Sequence, residues 1–149
     1  MGYGTKQYEE KMKKRGYDML REFFEKFYDA KILPHDLEYL FKVKITPILR
    51  VGGKIDRVDV HKDGKLEIID YKTGRKPSDA ETKDNLQMTL YALAATDPGI
   101  YNKKPEEVIL TFYFFNTNEK ISSTRTDKQL IEAKKILQDT AKKMAESTF

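Results

Sequence analysis

Two short stretches decide the fold, GKIDRVD at residues 53–59 and IIDYKTG at residues 68–74. They are predicted to be the two strands of one hairpin, on which two acidic side chains and a lysine converge: Asp56, Asp70 and Lys72. A divalent metal needs clustered carboxylates, and a water molecule that attacks phosphate needs a nearby cation or base to position it. The hairpin is therefore the first candidate for a functional site.

The turn between the two stretches sets the register of the hairpin. Residues 62–64, Lys-Asp-Gly, fit a three-residue loop in which the glycine takes the left-handed conformation and forms a bulge. His61 then pairs with Lys65, and the register continues until Asp56 stands opposite Asp70. One face of the hairpin becomes apolar in its middle and acidic at its end.

Side chains alternate along a strand, so Asp70 and Lys72 share one face of the hairpin with Asp56. A competing two-residue turn at 63–64 would mix apolar and polar side chains on each face, and a buried face disfavours that slip. Burying two carboxylates beside an apolar strip is costly unless a cation compensates them. Lys72 neutralises one of the two negative charges. The negative charge that remains favours a bound metal ion. The alternative is a solvated sheet edge with an Asp–Lys pair.

Composition limits the chemistry that such a site can use. The chain has 149 residues, of which 39% are hydrophobic and 35% are charged, and this predicts one globular domain. Its net charge of +4 is compatible either with a polyanionic partner or with lysines that only solvate helix faces. It contains no cysteine, which excludes disulfides, thiolate catalysis and iron–sulfur clusters. Oxygen ligands then favour Mg²⁺ or Mn²⁺. No membrane span or secretory signal is visible in the sequence, so we expect an intracellular, cytoplasmic protein with no membrane partner.

Hydrophobic periodicity predicts the order helix, three-strand meander, helix, two strands, helix, which is an α/β class fold of the α+β type with a mixed sheet. The predicted helices cover 6–29, 80–96 and a last segment from Thr126 or Asp127, and the predicted strands cover 36–50, 54–61, 65–72, 108–115 and 120–125. Ser78 or Asp79 is expected to cap the middle helix, with Leu86 on its inner face. Neither a repeat nor a second domain is indicated.

A second group of polar side chains lies on the predicted middle helix. Gln87 and Tyr91 are four residues apart and therefore share one helix face. Both can donate hydrogen bonds, and their helix follows the strand that carries Asp70 and Lys72. The pair can reach a phosphate or orient a carboxylate. The alternative is a half-buried glutamine beside a core tyrosine.

Taken in order, GxxDR from Gly53, DYKTG from Asp70 and QxxxY from Gln87 resemble the motifs of the RecB-like nucleases, a branch of the PD-(D/E)xK superfamily. The resemblance covers roughly residues 8–144 and implies a restriction-endonuclease-like core. It implies that Asp56 and Asp70 are metal ligands, with the Tyr71 carbonyl oxygen as a further ligand. Lys72 would position or activate the attacking water and stabilise negative charge on the phosphorane.

The resemblance also implies roles outside the metal ligands. Gln87 and Tyr91 would hold the site or the nucleic-acid backbone. Arg57 is a lower-ranked candidate for pairing with an acidic side chain or a phosphate, since strand alternation places it on the other face of the hairpin. Glu38 matches a glutamate that is common at this place in the family and is a further candidate for the metal region, and His35 is a weaker substitute. Both also have a purely structural interpretation.

The implied activity is that of a Mg²⁺-dependent deoxyribonuclease of the RecB-like exonuclease type, used in DNA repair or recombination. Single-stranded DNA or duplex ends are the expected substrates, with a helicase or another nuclease subunit as partner. Family members usually carry an upstream helix with a first metal ligand, and residues 1–149 are expected to be one domain that matches the C-terminal part of a longer family domain. The alternative is a catalytically impaired module of the same fold that binds nucleic acid or a partner protein.

Overall fold

The secondary structure follows the predicted order. The computed structural model describes residues 4–29, 32–76, 78, 82 and 85–147. The elements are α1 (Lys6–Phe27), β1 (Asp36–Lys44), β2 (Arg50–Val60), β3 (Leu66–Lys72), α2 (Leu86–Thr96), a 3₁₀ turn (Pro105–Glu107), β4 (Val108–Phe114), β5 (Glu119–Ser123) and α3 (Asp127–Glu146). The fold is α+β, as the hydrophobic pattern predicts.

The five strands form one mixed sheet in the order β1-β2-β3-β4-β5. All neighbouring pairs are antiparallel except β3 and β4, which are parallel. A parallel pair needs a crossover connection, and α2 lies in it. The crossover therefore brings α2 back over the sheet beside the strand that carries Asp70 and Lys72.

The core lies between the sheet and helices α2 and α3. Its members are fully or almost fully buried apolar side chains, among them Val58, Ile68, Met88, Leu110 and Leu130. Burying each such side chain contributes roughly 1.5–3 kcal/mol. This face of β3 includes Asp70, because Asp70 is two residues beyond Ile68.

Helix α1 packs on the opposite face of the sheet. The Thr5 side chain caps it by accepting from the Tyr8 N–H at 3.3 Å. The Phe23 ring meets the Tyr113 ring edge-on at 5.1 Å and the Tyr71 ring at 6.0 Å. Among the helices that the structure describes, α1 included, none combines the length and apolar character needed to cross a membrane.

The hairpin register agrees with the prediction from the turn. Gly64 has φ +84°, and the His61 N–H donates to the Lys65 carbonyl at 2.9 Å. Val58 pairs with Ile68 in the ladder between β2 and β3. The turn chemistry at 62–64 thus places the two strands correctly.

Element boundaries differ most from the prediction at the end of β1, at the start of β2 and at the start of α2. β2 begins at Arg50, four residues before its predicted start. β1 ends at Lys44, because a turn follows in which the Ile45 N–H donates to the Leu49 carbonyl at 2.9 Å and Pro47 has no N–H to give. The described start of α2 is capped by Asn85. Leu86 lies in that first turn and is 52% exposed, so its predicted place on the inner face is wrong. The predicted cap at Asp79 and start at Ala80 lie outside the described residues.

Candidate active site at the end of the central hairpin

The last residues of β3 place an aspartate and a lysine in contact. Asp70 and Lys72 are two residues apart on one strand, so both side chains point toward α2. Asp70 is 3% exposed, and Lys72 Nζ lies 2.6 Å from its Oδ2 atom. The Lys72 ammonium also lies 5.3 Å from the centre of the Phe112 ring. A buried carboxylate is thus held beside a cation that remains partly open to solvent.

Helix α2 supplies an amide that contacts both of these residues. Gln87 Nε2 donates to Asp70 Oδ1 at 2.8 Å, and Lys72 Nζ donates to Gln87 Oε1 at 2.9 Å. The amide oxygen therefore accepts from the ammonium while the amide nitrogen donates to the carboxylate. Gln87 fixes the spacing between the carboxylate and the ammonium.

The Tyr91 hydroxyl completes this arrangement one helical turn later. It lies 2.9 Å from Asp70 Oδ1 and 2.9 Å from the Lys54 carbonyl oxygen of β2, and it accepts from Gln87 Nε2 at 2.8 Å. Burial, followed by the negative charge of Asp70, raises the pKa of the Tyr91 hydroxyl well above its ordinary value. Tyr91 therefore remains protonated at neutral pH and acts as a hydrogen-bond donor. Asp70, Lys72, Gln87 and Tyr91 form what we call the α2–β3 network.

Asp56 sits where the ladder between β2 and β3 ends. The last paired residues are Arg57 and Ile69, and beyond them the Tyr71 N–H donates to Asp56 Oδ2 at 2.9 Å. The N–H and C=O of one strand residue face the same neighbouring strand, so the Tyr71 carbonyl faces β2 as well. Asp56, like Asp70, raises the pKa of the Tyr91 hydroxyl, although burial is the largest cause. Both carboxylates thus act on one hydroxyl.

The donor set fits a hard divalent cation. Asp70 Oδ2 is buried and, among the described residues, accepts no well-formed hydrogen bond, so only the Lys72 ammonium compensates it. With Asp56 and the Tyr71 carbonyl nearby, the available ligands are all oxygen atoms, which Mg²⁺ and Mn²⁺ prefer. The part of the chain that the structure describes contains no cluster of three or more acidic, histidine or cysteine side chains. Within the described part of the chain, a metal here would rely on two carboxylates.

Arg125 contributes to the site through α2, and sequence reasoning missed it. It is 4% exposed. Its guanidinium donates to Thr89 Oγ1 at 2.9 Å and to the Asn85 carbonyl at 3.2 Å. Asn85 caps α2 by accepting from the Met88 N–H at 3.1 Å. Arg125 therefore holds the helical turn that carries Gln87. An arginine inside a Ser-Ser-Thr-Arg-Thr segment is the one sequence signal for this role.

Three lower-ranked candidates have their polar contacts outside the α2–β3 network. Arg57 pairs with Asp59 through two hydrogen bonds of 2.8 Å and 3.0 Å, and it lines a groove on the α1 side of the sheet. Glu38 has φ +54° and pairs with Lys54. His35 lies 3.8 Å from Asp36. The structure gives none of them a place beside Asp70.

Comparison with known proteins gives a family match and a fold match. The family model of the PD-(D/E)XK nuclease superfamily matches residues 2–149. The chain is also similar to the solved structure titled "Crystal structure of SSO0001", with 15% sequence identity and a TM-score of 0.50, over 95% of this chain and 70% of that chain. At this identity the similarity concerns the fold alone. None of the curated proteins matches.

Proposed function

Because the chain belongs to the PD-(D/E)XK nuclease superfamily, we propose that it is a metal-dependent DNA nuclease of the RecB-like exonuclease type. The observation that carries this proposal is the α2–β3 network, in which a buried carboxylate, an ammonium, an amide and a hydroxyl meet at the end of β3. A structural ion pair alone gives no reason to bury a carboxylate in this way, because desolvation is costly. The reaction is the hydrolysis of phosphodiester bonds.

The metal is Mg²⁺ or Mn²⁺, and it would be held by the carboxylates of Asp56 and Asp70 and by the Tyr71 carbonyl. When bound, such an ion supplies Lewis-acid activation of water and neutralises charge on the phosphate. Asp70 is positioned for this task by Gln87 and Tyr91, which both contact its Oδ1 atom and leave Oδ2 facing Lys72. Among the described residues, Asp70 Oδ2 thus has the Lys72 ammonium as its partner and receives no hydrogen bond from α2.

Lys72 is the group that acts on the substrate. The Lys72 side chain is 35% exposed, so a phosphate can approach this residue while the Gln87 amide keeps its ammonium in place. A fixed cation beside the phosphorus stabilises the negative charge that develops during attack and can orient the attacking water. The Tyr91 hydroxyl of α2 contacts the Lys54 carbonyl of β2. This contact helps to hold α2 in place beside β2 and β3.

Membership of a nuclease superfamily implies a nucleic-acid partner. We propose that this partner is DNA, as a single strand or a duplex end, and that a helicase or another nuclease subunit works with the chain in repair or recombination in the cytoplasm. The chain's surplus of lysine and arginine, with a net charge of +4, supports a polyanionic substrate.

A binding module without catalysis is the second candidate function. The observation that favours it is that the described residues offer two carboxylates at the site and no cluster of three potential metal ligands. Fewer anionic ligands weaken the affinity for a divalent cation. Such a module would bind DNA in a salt-dependent manner and leave it intact.

Cleavage assays with matched variants separate the two candidates. Single-stranded and duplex DNA are incubated with the protein and Mg²⁺ or Mn²⁺, for the wild type, Asp70→Asn and Lys72→Met. Asp63→Asn and Lys65→Met are the controls, because Asp63 and Lys65 form an exposed ion pair of 3.2 Å on the same hairpin. We expect cleavage by the wild type and both controls and its loss in both site variants. Salt-sensitive binding without cleavage would support the binding module, and cleavage that survives both site substitutions would refute the assignment.

A further inference from the structure

An apolar groove of about 350 Å³ opens beside the α2–β3 network, between β1, β2 and α2. Its lining consists of Phe41, Gly52, Gly53, Lys54, Leu86 and Leu90, and it ends at Gln87 and Tyr91. The same two side chains that hold Asp70 thus form one wall of the groove. Whatever lies in the groove is next to the reacting groups.

Two adjacent glycines leave part of the β2 wall of the groove without side chains, next to Lys54. A Cβ atom on Gly53 would lie 3.0 Å from the Phe41 ring, and one on Gly52 would lie 2.8 Å from the Phe41 carbonyl oxygen. Both glycines are exposed although they lie inside a strand. Glycine inside a strand often marks a place where a ligand or another backbone approaches closely.

The opposite wall presents an apolar side chain to solvent. Leu86 is 52% exposed, and Leu90 follows one turn later on the same side of α2. The Phe41 ring below them is fixed edge-on against the Tyr91 ring at 5.9 Å. The groove therefore has aliphatic side chains on one wall, glycine backbone and Lys54 on the other, and the Phe41 ring between them.

A nucleic-acid substrate contains one chemical group whose shape and polarity suit this groove, the nucleobase. Gln87 and Tyr91 both contact Asp70 and line the groove, so a nucleoside next to a phosphodiester held at Lys72 is within reach of the groove. Of its parts, the base has flat apolar faces, and unstacked bases bind between aromatic or apolar side chains. Inside a duplex those faces are covered by neighbouring base pairs, so the base has to leave the stack to enter.

We propose that the groove formed by Phe41, Gly52, Gly53, Leu86 and Leu90 binds one unpaired nucleobase next to the phosphodiester that is cleaved. This inference rests on the proposed nuclease function and narrows its substrate to an unpaired strand. A duplex end is then used only after it frays. Leu86 is the residue through which the preference can be removed without disturbing the α2–β3 network.

The first test measures binding in EDTA, so that cleavage does not intervene. Fluorescence anisotropy compares a short oligothymidylate, an abasic strand of the same length and a duplex of the same length. We expect the wild type to bind the oligothymidylate about tenfold more tightly than the abasic strand, as expected for one stacked base. Leu86→Ser should reduce the ratio of the two affinities to nearly one, and Leu86→Met, which keeps an apolar side chain, should retain the wild-type ratio. Leu40→Ser is the matched control, because Leu40 is 76% exposed on β1.

The second test measures cleavage with Mn²⁺ of strands in which a single abasic site is moved along the sequence. We expect the largest slowing when the abasic site adjoins the cleaved bond. The losses from that abasic site and from Leu86→Ser should not add, because they remove the same contact. Additive losses, or an unchanged preference in Leu86→Ser, would overturn the base-binding role and leave the groove to another occupant.

The two tests fail independently of each other. If no substrate is cleaved by any variant, the proposed nuclease function fails, and the binding ratio in EDTA still decides whether the groove takes a base. If cleavage occurs but the oligothymidylate and the abasic strand bind equally, the inference about the groove is wrong and the nuclease function stands.

Discussion

Gln87 Nε2 lies 2.8 Å from Asp70 Oδ1, so an amide on helix α2 fixes the orientation of a carboxylate on strand β3. The two residues are 17 positions apart in sequence, and the crossover from β3 to β4 brings them together. Catalytic carboxylates have to be held within a narrow range of positions, and outer partners commonly do this. Turnover should therefore depend on the residues that support Asp70.

Loss of the Gln87 amide should reduce turnover more than substrate binding. Gln87→Ala removes the hydrogen bonds that space Asp70 and Lys72, and we expect kcat to fall about 10–100-fold, as for other outer-shell substitutions, with little change in KM. Steady-state kinetics with Mn²⁺ measure this. Gln7→Ala, in an exposed part of α1, is the control. An unchanged kcat would contradict the positioning role.

Removal of the Lys72 charge should expose the cost of burying Asp70. Lys72→Met leaves a buried carboxylate without its cation, and we expect a loss of about 2 kcal/mol in the free energy of unfolding, less than for a fully buried pair because Lys72 is partly exposed. Adding Asp70→Asn to this variant should recover part of the loss. Urea unfolding of the four proteins in this cycle measures the coupling. Strictly additive losses would show that the two charges do not interact.

The raised pKa of Tyr91 predicts a pH dependence at the alkaline end. The folded state holds the hydroxyl proton to higher pH than the unfolded chain, whose tyrosine titrates near its model value of 10.0. The stability from this group is fully present below pH 10 and is lost as the pH rises above it, by about 1.4 kcal/mol per pH unit. Tyr91→Phe should remove this contribution to the slope of the unfolding free energy against pH. Tyr17 is 67% exposed, and Tyr17→Phe should leave the slope unchanged. Urea unfolding at several pH values up to one unit above 10 would detect the difference, and identical slopes would contradict burial of the hydroxyl.

Loss of the Arg125 fork should loosen the first turn of α2. Arg125→Lys keeps the charge but cannot reach Thr89, the Asn85 carbonyl and Ser123 at the same time. We expect faster hydrogen exchange at the amides of Met88 and Thr89 and a loss of about 2 kcal/mol in stability. Arg21→Lys on the partly exposed surface of α1 serves as the control. Unchanged exchange at these two amides would mean that Asn85 holds the turn alone.

Local chemistry made the hairpin predictable. The glycine at position 64 fixes the turn, and the turn fixes which residues of β2 and β3 face each other, so the placement of Val58 against Ile68 needed no knowledge of the rest of the fold. The one-turn spacing of Gln87 and Tyr91 was equally readable from helix geometry.

Long-range contacts were not predictable in the same way. The bond between Tyr91 and the Lys54 carbonyl joins residues 37 positions apart, and the bond between Arg125 and the Asn85 carbonyl joins residues 40 apart. Both depend on how α2 packs over the sheet, which no local pattern encodes. Leu86 was misplaced for a related reason, since an apolar residue in the first turn of a helix can equally line an open groove.

The most direct test of the proposed metal site is a crystal structure of the protein soaked with Mn²⁺, read from the anomalous density. We expect a peak within ligand distance of the carboxylates of Asp56 and Asp70 and of the Tyr71 carbonyl, and we expect its loss in Asp70→Asn. A soaked crystal in which Asp56 and Asp70 bind no ion, or in which the peak persists in Asp70→Asn, would contradict it.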